Sequence, residues 1–247
     1  MEQLFEVEIA IEDPAHATDL ARMGVHRIEL CANLAQGGLT PTPGQAKSTL
    51  AQTDLPVYCM IRSRAGNFTF SPAEKDTMLQ DVLALAGCGI AGIVIGALTE
   101  YGTLDEPFMN ELVALAHGLD LGITLHRAID ACTDRQGALT WAAEAGVERV
   151  LTSGGEPKVA QGFNELARLV QGPVPVMAGS GVSAAVVDDL WSAGVRMYHC
   201  TAMKPKEDAL RGAVLDQHTR LGFSGAVALD SDKIEALVSA LKAKISA

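Results

Sequence analysis

Eight short runs of apolar, mostly β-forming residues recur along the chain, and segments with helical periodicity separate them. The runs are FEVEIAI from residue 5, HRIELCA from 26, PVYCMIR from 56, GIVIGAL from 92, GITLHRAI from 122, RVLTSG from 149, VPVMAGSG from 174 and RMYHCTA from 196. Strands that alternate with helices pair in parallel through crossover connections. Eight such units in 247 residues predict a TIM (β/α)8 barrel. The main alternative, a doubly wound sheet, would not need eight.

An internal repeat favours the closed barrel. A glycine that ends a helix, then an apolar residue and a strand, precedes strands 2, 4, 6 and 8. The four glycines are Gly24, Gly89, Gly146 and Gly194. Alternate strands fill alternate layers of a barrel interior, so a period of two units fits closure. We expect a single TIM-barrel domain over residues 1–247, with an irregular segment at about 203–229 and a C-terminal helix at about 231–245.

The charge and cysteine content exclude several classes of protein. Thirty acidic residues against 19 basic ones give a net charge of −11, and no basic patch for a nucleic-acid backbone is present. No apolar run reaches the roughly 20 residues of a membrane helix, and the acidic, strand-like start is unlike a secretory signal. The five cysteines are widely spaced and lack a CxxC pair, which indicates reduced thiols. We expect a cytoplasmic protein that binds neither nucleic acid nor membrane.

Alternation along the strands predicts which side chains face the barrel axis. The apolar residues of strands 1 and 2 share one face, which turns Glu8 and Glu29 inward, towards the end where barrel sites form. Arg62 is assigned inward because a charge against the helix layer would cost more. His126 on strand 5 joins this cavity if its face is inward, and Asp130 follows in the loop. These five residues are the predicted catalytic set, since they can divide proton transfer and anion binding. For any one of them, a structural ion pair inside the barrel is the alternative.

Two turns rich in small residues follow strands 6 and 7: TSGG at 152–155 and AGSGVS at 178–183. Such residues let backbone amides approach an anion, and phosphate sites in many barrels lie after strands 7 and 8. Tight packing is the alternative explanation. The predicted anion-binding residues in these turns are Ser153, Gly154, Gly179, Ser180 and Gly181.

The only metal ion that the sequence supports as a ligand of this protein is a soft one, Cu(I). Zinc is poorly supported because neither HxxxH nor CxxC occurs. Cu(I) prefers thiolate and thioether ligands, and Cys31 is the best-placed thiol because it shares the inward face of Glu29. Alternation puts Cys59 on the opposite face, so a site made by both cysteines would require a wrong face assignment. Met60 and Met197 are possible soft neighbours. Cys31 is therefore the candidate ligand for Cu(I), and no other cofactor is indicated.

Six motifs resemble those of the CutC family, which is named for copper homeostasis. They are RIELCANLAQGGLTPTPG, MIRSRAGNF, GIVIGALT, TLHRAID, RVLTSGG and MAGSGV, and the resemblance runs from about residue 5 to 202. It implies a TIM barrel, a cytoplasmic location, a homo-oligomer (dimer or tetramer) and copper handling with a cysteine as Cu(I) ligand. Cys31 matches the family motif within ELCANL. The other residues in matching motifs are Glu29, Asn33, Arg62, Arg64, His126, Arg127 and Asp130. Of these, we assign Arg64 to the anion-binding set.

Two functions of different classes are open at this point. The first is a CutC-like protein that participates in copper homeostasis and binds Cu(I) through Cys31. The second is a metal-independent TIM-barrel enzyme that performs acid–base chemistry on a small anionic or phosphorylated metabolite. In the second, Glu29 or Glu8 is the base, His126 the acid and Arg62 the charge stabiliser. Physical chemistry favours the second, because glutamate, arginine and histidine suit proton transfer better than copper binding.

Overall fold

The computed structural model of the protein describes residues 4–207, 209–222 and 227–246. Eight strands close into a barrel in chain order, each parallel to its neighbours. They are β1 (Glu6–Ile11), β2 (Arg27–Leu30), β3 (Val57–Met60), β4 (Gly92–Ile95), β5 (Gly122–Leu125), β6 (Arg149–Thr152), β7 (Val176–Ala178) and β8 (Met197–Cys200). The predicted TIM barrel is confirmed.

The helices between the strands form the outer layer. They are α1 (Pro43–Leu50), α2 (Pro72–Ala86), α3 (Glu106–Gly118), α4 (Arg135–Glu144), α5 (Phe163–Leu169) and α6 (Val187–Ser192). Only short helical turns join β1 to β2. The start of α2 shows the local cause of a helix boundary. The Ser71 hydroxyl accepts the Glu74 amide at 3.3 Å, and the Glu74 carboxylate accepts the Ser71 amide at 2.7 Å. This capping box satisfies amides that the helix cannot pair internally.

The chain after β8 leaves the barrel and returns to it. Expected to be irregular, this stretch contains β9 (Met203–Pro205) and β10 (Val227–Leu229), which pair antiparallel, and α7 (Gly212–Arg220). The last helix, α8, covers Ser231–Ser246. Its buried side chains are Ile234, Leu237, Val238 and Leu241. They pack α8 against the barrel's helix layer, beside α6 and the helical turn Ala184–Val186. None of the described helices is both long and apolar enough to cross a bilayer.

The two faces of each strand enter different environments, as alternation predicts. Outward side chains such as Ile9, Ile28 and Cys59 belong to one continuous apolar core with the helices. A separate small cluster inside the barrel contains Cys31 and Met60. The two cysteines therefore lie in different layers, and the predicted face assignment is confirmed.

Charged side chains fill much of the barrel axis where many barrels have apolar layers. Near the strands' N-terminal ends, Arg149 forms an ion pair with Glu6. One layer further along the axis, Arg27 forms an ion pair with Glu8 and donates to the Thr124 hydroxyl at 2.8 Å. Both Glu8 and Arg27 are buried, so each charge depends on its partner for compensation.

Tyr58 crosses the interior below this ion pair, and glycines provide the room. The Arg27 guanidinium lies 3.4 Å from the centre of the Tyr58 ring, and the phenol donates to the Glu148 carboxylate at 2.7 Å. A Cβ atom on Gly122 would lie 2.7 Å from the Glu148 carboxylate oxygens, and one on Gly92 would clash with the Tyr58 ring and lie 2.5 Å from the Gly122 carbonyl oxygen. Both distances are too short for a side chain, which explains glycine at the start of β4 and β5.

Candidate functional site

A cavity of about 410 Å³ opens at the C-terminal end of the barrel, within the size range of small-molecule sites. Glu29 and His199 reach it from inside the barrel, and Arg62, Phe68 and His126 line it from β3, β5 and the loops after them. Loops after β2, β6 and β7 and the start of α8 also contribute to its lining. The alternation of side chains along the strands therefore brings Glu29, Arg62 and His126 to the same cavity.

Glu29 is the buried acid of this cavity. It is 3% exposed, and its Oε1 has no hydrogen-bond partner among the described residues. Its Oε2 accepts the Cys31 thiol at 3.4 Å and lies 3.9 Å from His199 Nε2. Burial raises the pKa of Glu29, and the Glu8 charge adds to this, while His199 partly opposes it. A carboxyl whose pKa is shifted towards neutrality in a cavity has the usual properties of a proton-transfer group.

Glu8 and His199 lie next to Glu29 inside the barrel. Nδ1 of His199 is 2.7 Å from Glu8 Oε1. Burial alone would raise the pKa of Glu8, but Arg27 and the hydrogen bond to His199 outweigh it and lower the pKa to about 2. Burial likewise opposes the charged form of His199, yet the carboxylates of Glu29 and Glu8 raise its pKa. Glu8 is thus a permanent carboxylate that orients His199, whose Nε2 faces Glu29.

His126 differs from the acid expected from the sequence. Its Nδ1 accepts the Ala128 amide at 3.1 Å, so the neutral ring carries its hydrogen on Nε2. That Nε2 has no partner among the described residues. Burial lowers the pKa of His126 to about 3, with help from the Arg62 charge. The ring therefore stays neutral and can donate a hydrogen bond to a bound oxygen, but it is not a charged acid.

Arg62 organises the loops around the cavity. Its Nη1 donates to the carbonyl oxygens of Gln36 at 3.0 Å and Gly38 at 3.1 Å, and its Nη2 donates to Gly66 at 2.6 Å. Only Nε lacks a partner in the described part of the chain. The guanidinium thus ties the loop after β2 to the loop after β3. Its charge still acts on the cavity, as its effect on the pKa of His126 shows.

Arg64, predicted to bind an anion, lies outside the cavity lining. Its Nε donates to the Glu74 carboxylate at 2.6 Å, and its Nη2 donates to the Thr69 carbonyl at 2.5 Å. Arg64 therefore joins the β3 loop to the start of α2 and has a structural role.

Asp130 fills the first of the two predicted anion turns with its own carboxylate. It accepts the Ser153 amide at 3.1 Å, the Gly155 amide at 3.0 Å, the Thr152 hydroxyl at 2.5 Å and Arg127 Nε at 2.7 Å. The Gly154 amide donates instead to the Thr152 hydroxyl oxygen, and a Cβ there would lie 2.6 Å from a backbone oxygen. The turn at 152–155 thus binds an internal anion, and neither Asp130, Ser153 nor Gly154 lines the cavity.

Removing this internal anion should destabilise the loop after β6. In Asp130→Asn, an amide NH2 would face donors that now meet a carboxylate, and we expect a loss of about 2 kcal/mol with faster proteolysis near residues 153–158. Urea unfolding and limited proteolysis measure both effects. Asp76→Asn, on the exposed face of α2, is the control and should change neither. Wild-type stability in Asp130→Asn would contradict the structural role.

The second predicted turn does reach the cavity. Ser180 and Gly181 line it, with φ angles of 69° and 86°. The Gly179 amide donates to the Thr152 carbonyl at 2.9 Å and extends the sheet, so this residue lies outside the lining. The structure thus keeps two of the five turn residues as candidates for contact with a ligand.

Three cations surround the cavity mouth: Arg127, Lys158 and Lys233. Arg127 is paired with Asp130, whereas no carboxylate within the described ranges forms an ion pair with either lysine. In a chain of net charge −11, cations at the mouth of a cavity favour anionic ligands.

Cys31 lies behind Glu29 and outside the cavity lining. Burial and the neighbouring Glu29 carboxylate raise the pKa of its thiol well above the ordinary value. A Cβ atom on Gly38 would lie 2.8 Å from Cys31 Sγ and 3.3 Å from Met60 Cε, so Gly38 covers both sulfur-bearing side chains. The thiol is buried and protonated.

Glu8, Glu29 and His199 also have oxygen and nitrogen atoms within 4.8 Å of one another, a spacing that a cation could bridge. Both oxygens of Glu8 already accept hydrogens, one from Arg27 and one from His199. A metal ion would have to displace these donors beside a buried guanidinium. Proton transfer suits this set better than metal binding.

Comparison with known proteins identifies the family. The model of the CutC family matches residues 5–204. The chain belongs to the CutC family. A CutC family protein from Vibrio campbellii is 40% identical over 182 residues, covering 72% of this chain and 74% of the relative. One from Photobacterium profundum is 33% identical over 249 residues, covering 96% and 99%.

A solved structure extends this comparison. The CutC protein from Streptococcus agalactiae, named for copper homeostasis, matches with a TM-score of 0.71 and 28% identity, over 79% of this chain and 97% of the other. The CutC resemblance seen in the sequence is confirmed. The CutC family match ends at residue 204, so α7, α8 and Lys233 lie beyond it.

Three residues of this CutC-family site escaped prediction. Alternation along β8 leaves the direction of His199 open, because both faces of this strand carry mixed side chains; its register opposite Glu8 decides the face. Lys158 follows a Gly-rich turn, but no local pattern directs it to the cavity. Lys233 reaches the cavity only because α8 packs beside the loop after β7, which no short sequence motif indicates.

Proposed function

We propose that this CutC-family protein is an enzyme that moves a proton on a small organic anion bound at the barrel mouth, without a metal. The main support for this proposal is the state of Glu29. Its carboxyl group is buried, has a raised pKa and has one oxygen without a partner, at a cavity surrounded by cations. Unpartnered buried oxygens are costly unless a ligand uses them. The charge distribution supports an anionic substrate.

The proposed step is proton abstraction from a carbon next to a carbonyl group. The Glu29 carboxylate forms the new O–H bond, the C–H bond breaks, and its electron pair moves into the carbonyl to give an enolate. His126 donates a hydrogen bond from its Nε2–H group to the developing oxyanion and keeps the proton, so the imidazole remains neutral. Return of a proton to the same carbon gives exchange with solvent, and its return to a neighbouring atom gives isomerisation.

His199 favours the ionised form of Glu29. Its imidazole lies between the permanent Glu8 carboxylate and Glu29, so it stabilises the ionised form of Glu29 when the proton has left. Glu8 in turn keeps His199 in one orientation. Here Glu8 is a positioning residue, because it contacts Arg27 and His199 and does not line the cavity.

Deuterium exchange tests this function before the product is known. The protein is incubated in D2O with a panel of small carbonyl compounds that carry a carboxylate or phosphate, and the C–H signals are followed by NMR. We expect exchange at the carbon next to the carbonyl of at least one compound, dependent on Glu29. A compound that binds in the cavity without exchange would count against proton transfer.

Copper homeostasis, the function in the name of the Streptococcus agalactiae relative, is the second candidate. One observation favours it: Cys31 and Met60 lie in one cluster inside the barrel, and thiolate with thioether suits Cu(I). The raised pKa of the thiol opposes it, since a ligand thiol must lose its proton.

An anaerobic Cu(I) titration against a competing chelator separates the two candidates. If proton transfer is the function, the wild type and Cys31→Ser should compete equally weakly, because the thiol is buried and protonated. Cys88→Ser is the control, because this thiol is partly exposed and packs against the core between the barrel and its helices. A stoichiometric tight site that disappears only in Cys31→Ser would establish copper binding instead.

We also propose a cytoplasmic location, which the five unpaired cysteines support. The homo-oligomer (dimer or tetramer) implied by the CutC resemblance stays a prediction.

A further inference from the structure

We infer that the cavity selects a dianionic group, such as a phosphate monoester, through Lys158 and Lys233 beside the turn at Ser180 and Gly181. This inference deepens the proposed function and rests on it, because it names the substrate class of the same cavity. It stands on the placement of the two lysines and on the charges around them.

The loop that carries Lys158 is fixed to the turn after β7. The Ser180 hydroxyl donates to the Pro157 carbonyl at 2.7 Å, and the Ser180 carbonyl accepts the Val159 amide at 2.8 Å. These two bonds flank Lys158 in the sequence and hold its backbone against the turn. Its side chain then passes Gly181, where an added Cβ atom would lie 3.2 Å from Lys158 Cδ. Gly181 therefore leaves the path of the lysine open.

Lys233 approaches from the first turn of α8. Its Nζ donates to the Thr201 carbonyl at 3.1 Å, just after β8. The Asp230 amide donates to the Ala202 carbonyl at 2.8 Å, which anchors the helix start to the same strand end. The Cys200 thiol is a second hydrogen-bond partner of this ammonium group, so one of its three hydrogens remains for a ligand.

The nearby carboxylates do not neutralise these two lysines. Asp230 and Asp232, close to Lys233 in sequence, lie 3.6 and 3.8 Å from Lys204 Nζ instead. Asp130 is paired with Arg127. The lysine charges at the mouth thus lack ion-pair partners in the described part of the chain, and a ligand with two negative charges would balance them.

The size of the cavity and the position of Lys233 narrow the class further. About 410 Å³ accommodates a phosphate group together with a short carbon skeleton that reaches Glu29. Lys233 lies beyond residue 204, where the match to the CutC family ends. We therefore assign the specificity for a dianion to the C-terminal segment of this chain, acting together with Lys158.

Calorimetric titration with simple ions tests the inference without the true substrate. Sulfate and inorganic phosphate are the dianion probes, acetate and nitrate the monoanion probes, all at pH 8 and constant ionic strength. We expect the dianions to bind at least tenfold more tightly, and Lys158→Gln and Lys233→Gln each to weaken sulfate binding about tenfold. Lys47→Gln, at an exposed position on α1, should leave sulfate binding unchanged.

The outcomes separate this inference from the proposed function. Equal binding of monoanions and dianions, or unchanged sulfate affinity in both lysine variants, would overturn the dianion assignment. Neither result would affect deuterium exchange that depends on Glu29. Conversely, Glu29→Gln should retain sulfate binding, so loss of exchange with intact sulfate binding shows that the two roles are distinct. The melting temperature of each lysine variant verifies that its fold is intact.

Discussion

Replacing Glu29 with glutamine should abolish proton transfer and raise the melting temperature in the same variant. Glutamine fills the same volume but cannot accept a proton, so exchange should fall by about 10²–10⁴-fold, the usual contribution of a general base. NMR measurement of deuterium exchange, at saturating concentrations of whichever compound the wild type exchanges, gives this ratio. Sulfate binding should persist, since Lys158 and Lys233 are unchanged.

The increase in stability follows from the raised pKa of Glu29. When the folded pKa exceeds the unfolded one, the group stabilises the fold most below the unfolded pKa, here the ordinary value of 4.5. This contribution is lost as the pH rises through the folded value. Above it, the ionised carboxylate is buried at a cost. Glutamine removes that cost, so its advantage in melting temperature should grow from pH 5 to pH 8.

A surface carboxylate provides the matched control for this variant. Glu165 pairs with Arg168 on α5, and Glu165→Gln should keep full exchange activity. Its pKa is lowered by the hydrogen bond from Arg168, so its stability effect has the opposite sign. Full activity in Glu29→Gln would remove Glu29 from the chemistry. A lower melting temperature at pH 8 would show that Glu29 is mainly a structural charge.

The barrel and the inward acids were predictable because strand alternation is a strictly local rule. Glu8 and Glu29 follow apolar neighbours that must pack against helices, and eight closed strands leave only one interior for them. The same rule separated Cys31 from Cys59. These predictions needed no information about which residues meet across the barrel.

The roles of individual side chains were less predictable, because they depend on partners distant in sequence. The sequence suggested that Asp130 was free for catalysis, but in the structure its carboxylate accepts hydrogen bonds from the amides of residues 153 and 155. His126 looked like an acid, but its burial and Arg62 make it a neutral donor. Lys233 is placed by the packing of a whole helix. Parity tells which way a side chain points, whereas its chemistry depends on what it meets there.

Replacing Arg27 with methionine should strongly destabilise the protein. Arg27 is the cation closest to the fully buried Glu8, and it also bonds Thr124 and covers the Tyr58 ring. Methionine fills much of the volume but removes the guanidinium that lowers the pKa of Glu8 most, and leaves the carboxylate with His199 beside it. Removing one partner of a buried pair costs about 3–5 kcal/mol, which corresponds to a fall of about 10 °C in melting temperature.

The pH dependence identifies Glu8 as the source of that loss. Its folded pKa of about 2 lies below the ordinary 4.5, so its stabilising contribution is present above pH 4.5 and disappears as the pH falls towards 2. In Arg27→Met this acid-sensitive contribution should largely vanish, so the two proteins should converge in stability at low pH. Chemical unfolding at pH 3.0 and 7.0 measures the difference.

Two further variants test whether the loss of stability comes from the Glu8 carboxylate once Arg27 has been removed. Adding Glu8→Gln to Arg27→Met should recover part of the stability, because an amide is cheaper to bury than an unpaired carboxylate. Arg22→Met, which breaks an exposed pair with Asp19 at 3.1 Å, should cost less than about 0.5 kcal/mol. If Arg27→Met is as mild as Arg22→Met, the charges on the barrel axis do not support the fold. The buried negative charge of Glu8 would then be compensated by a group other than Arg27, such as His199.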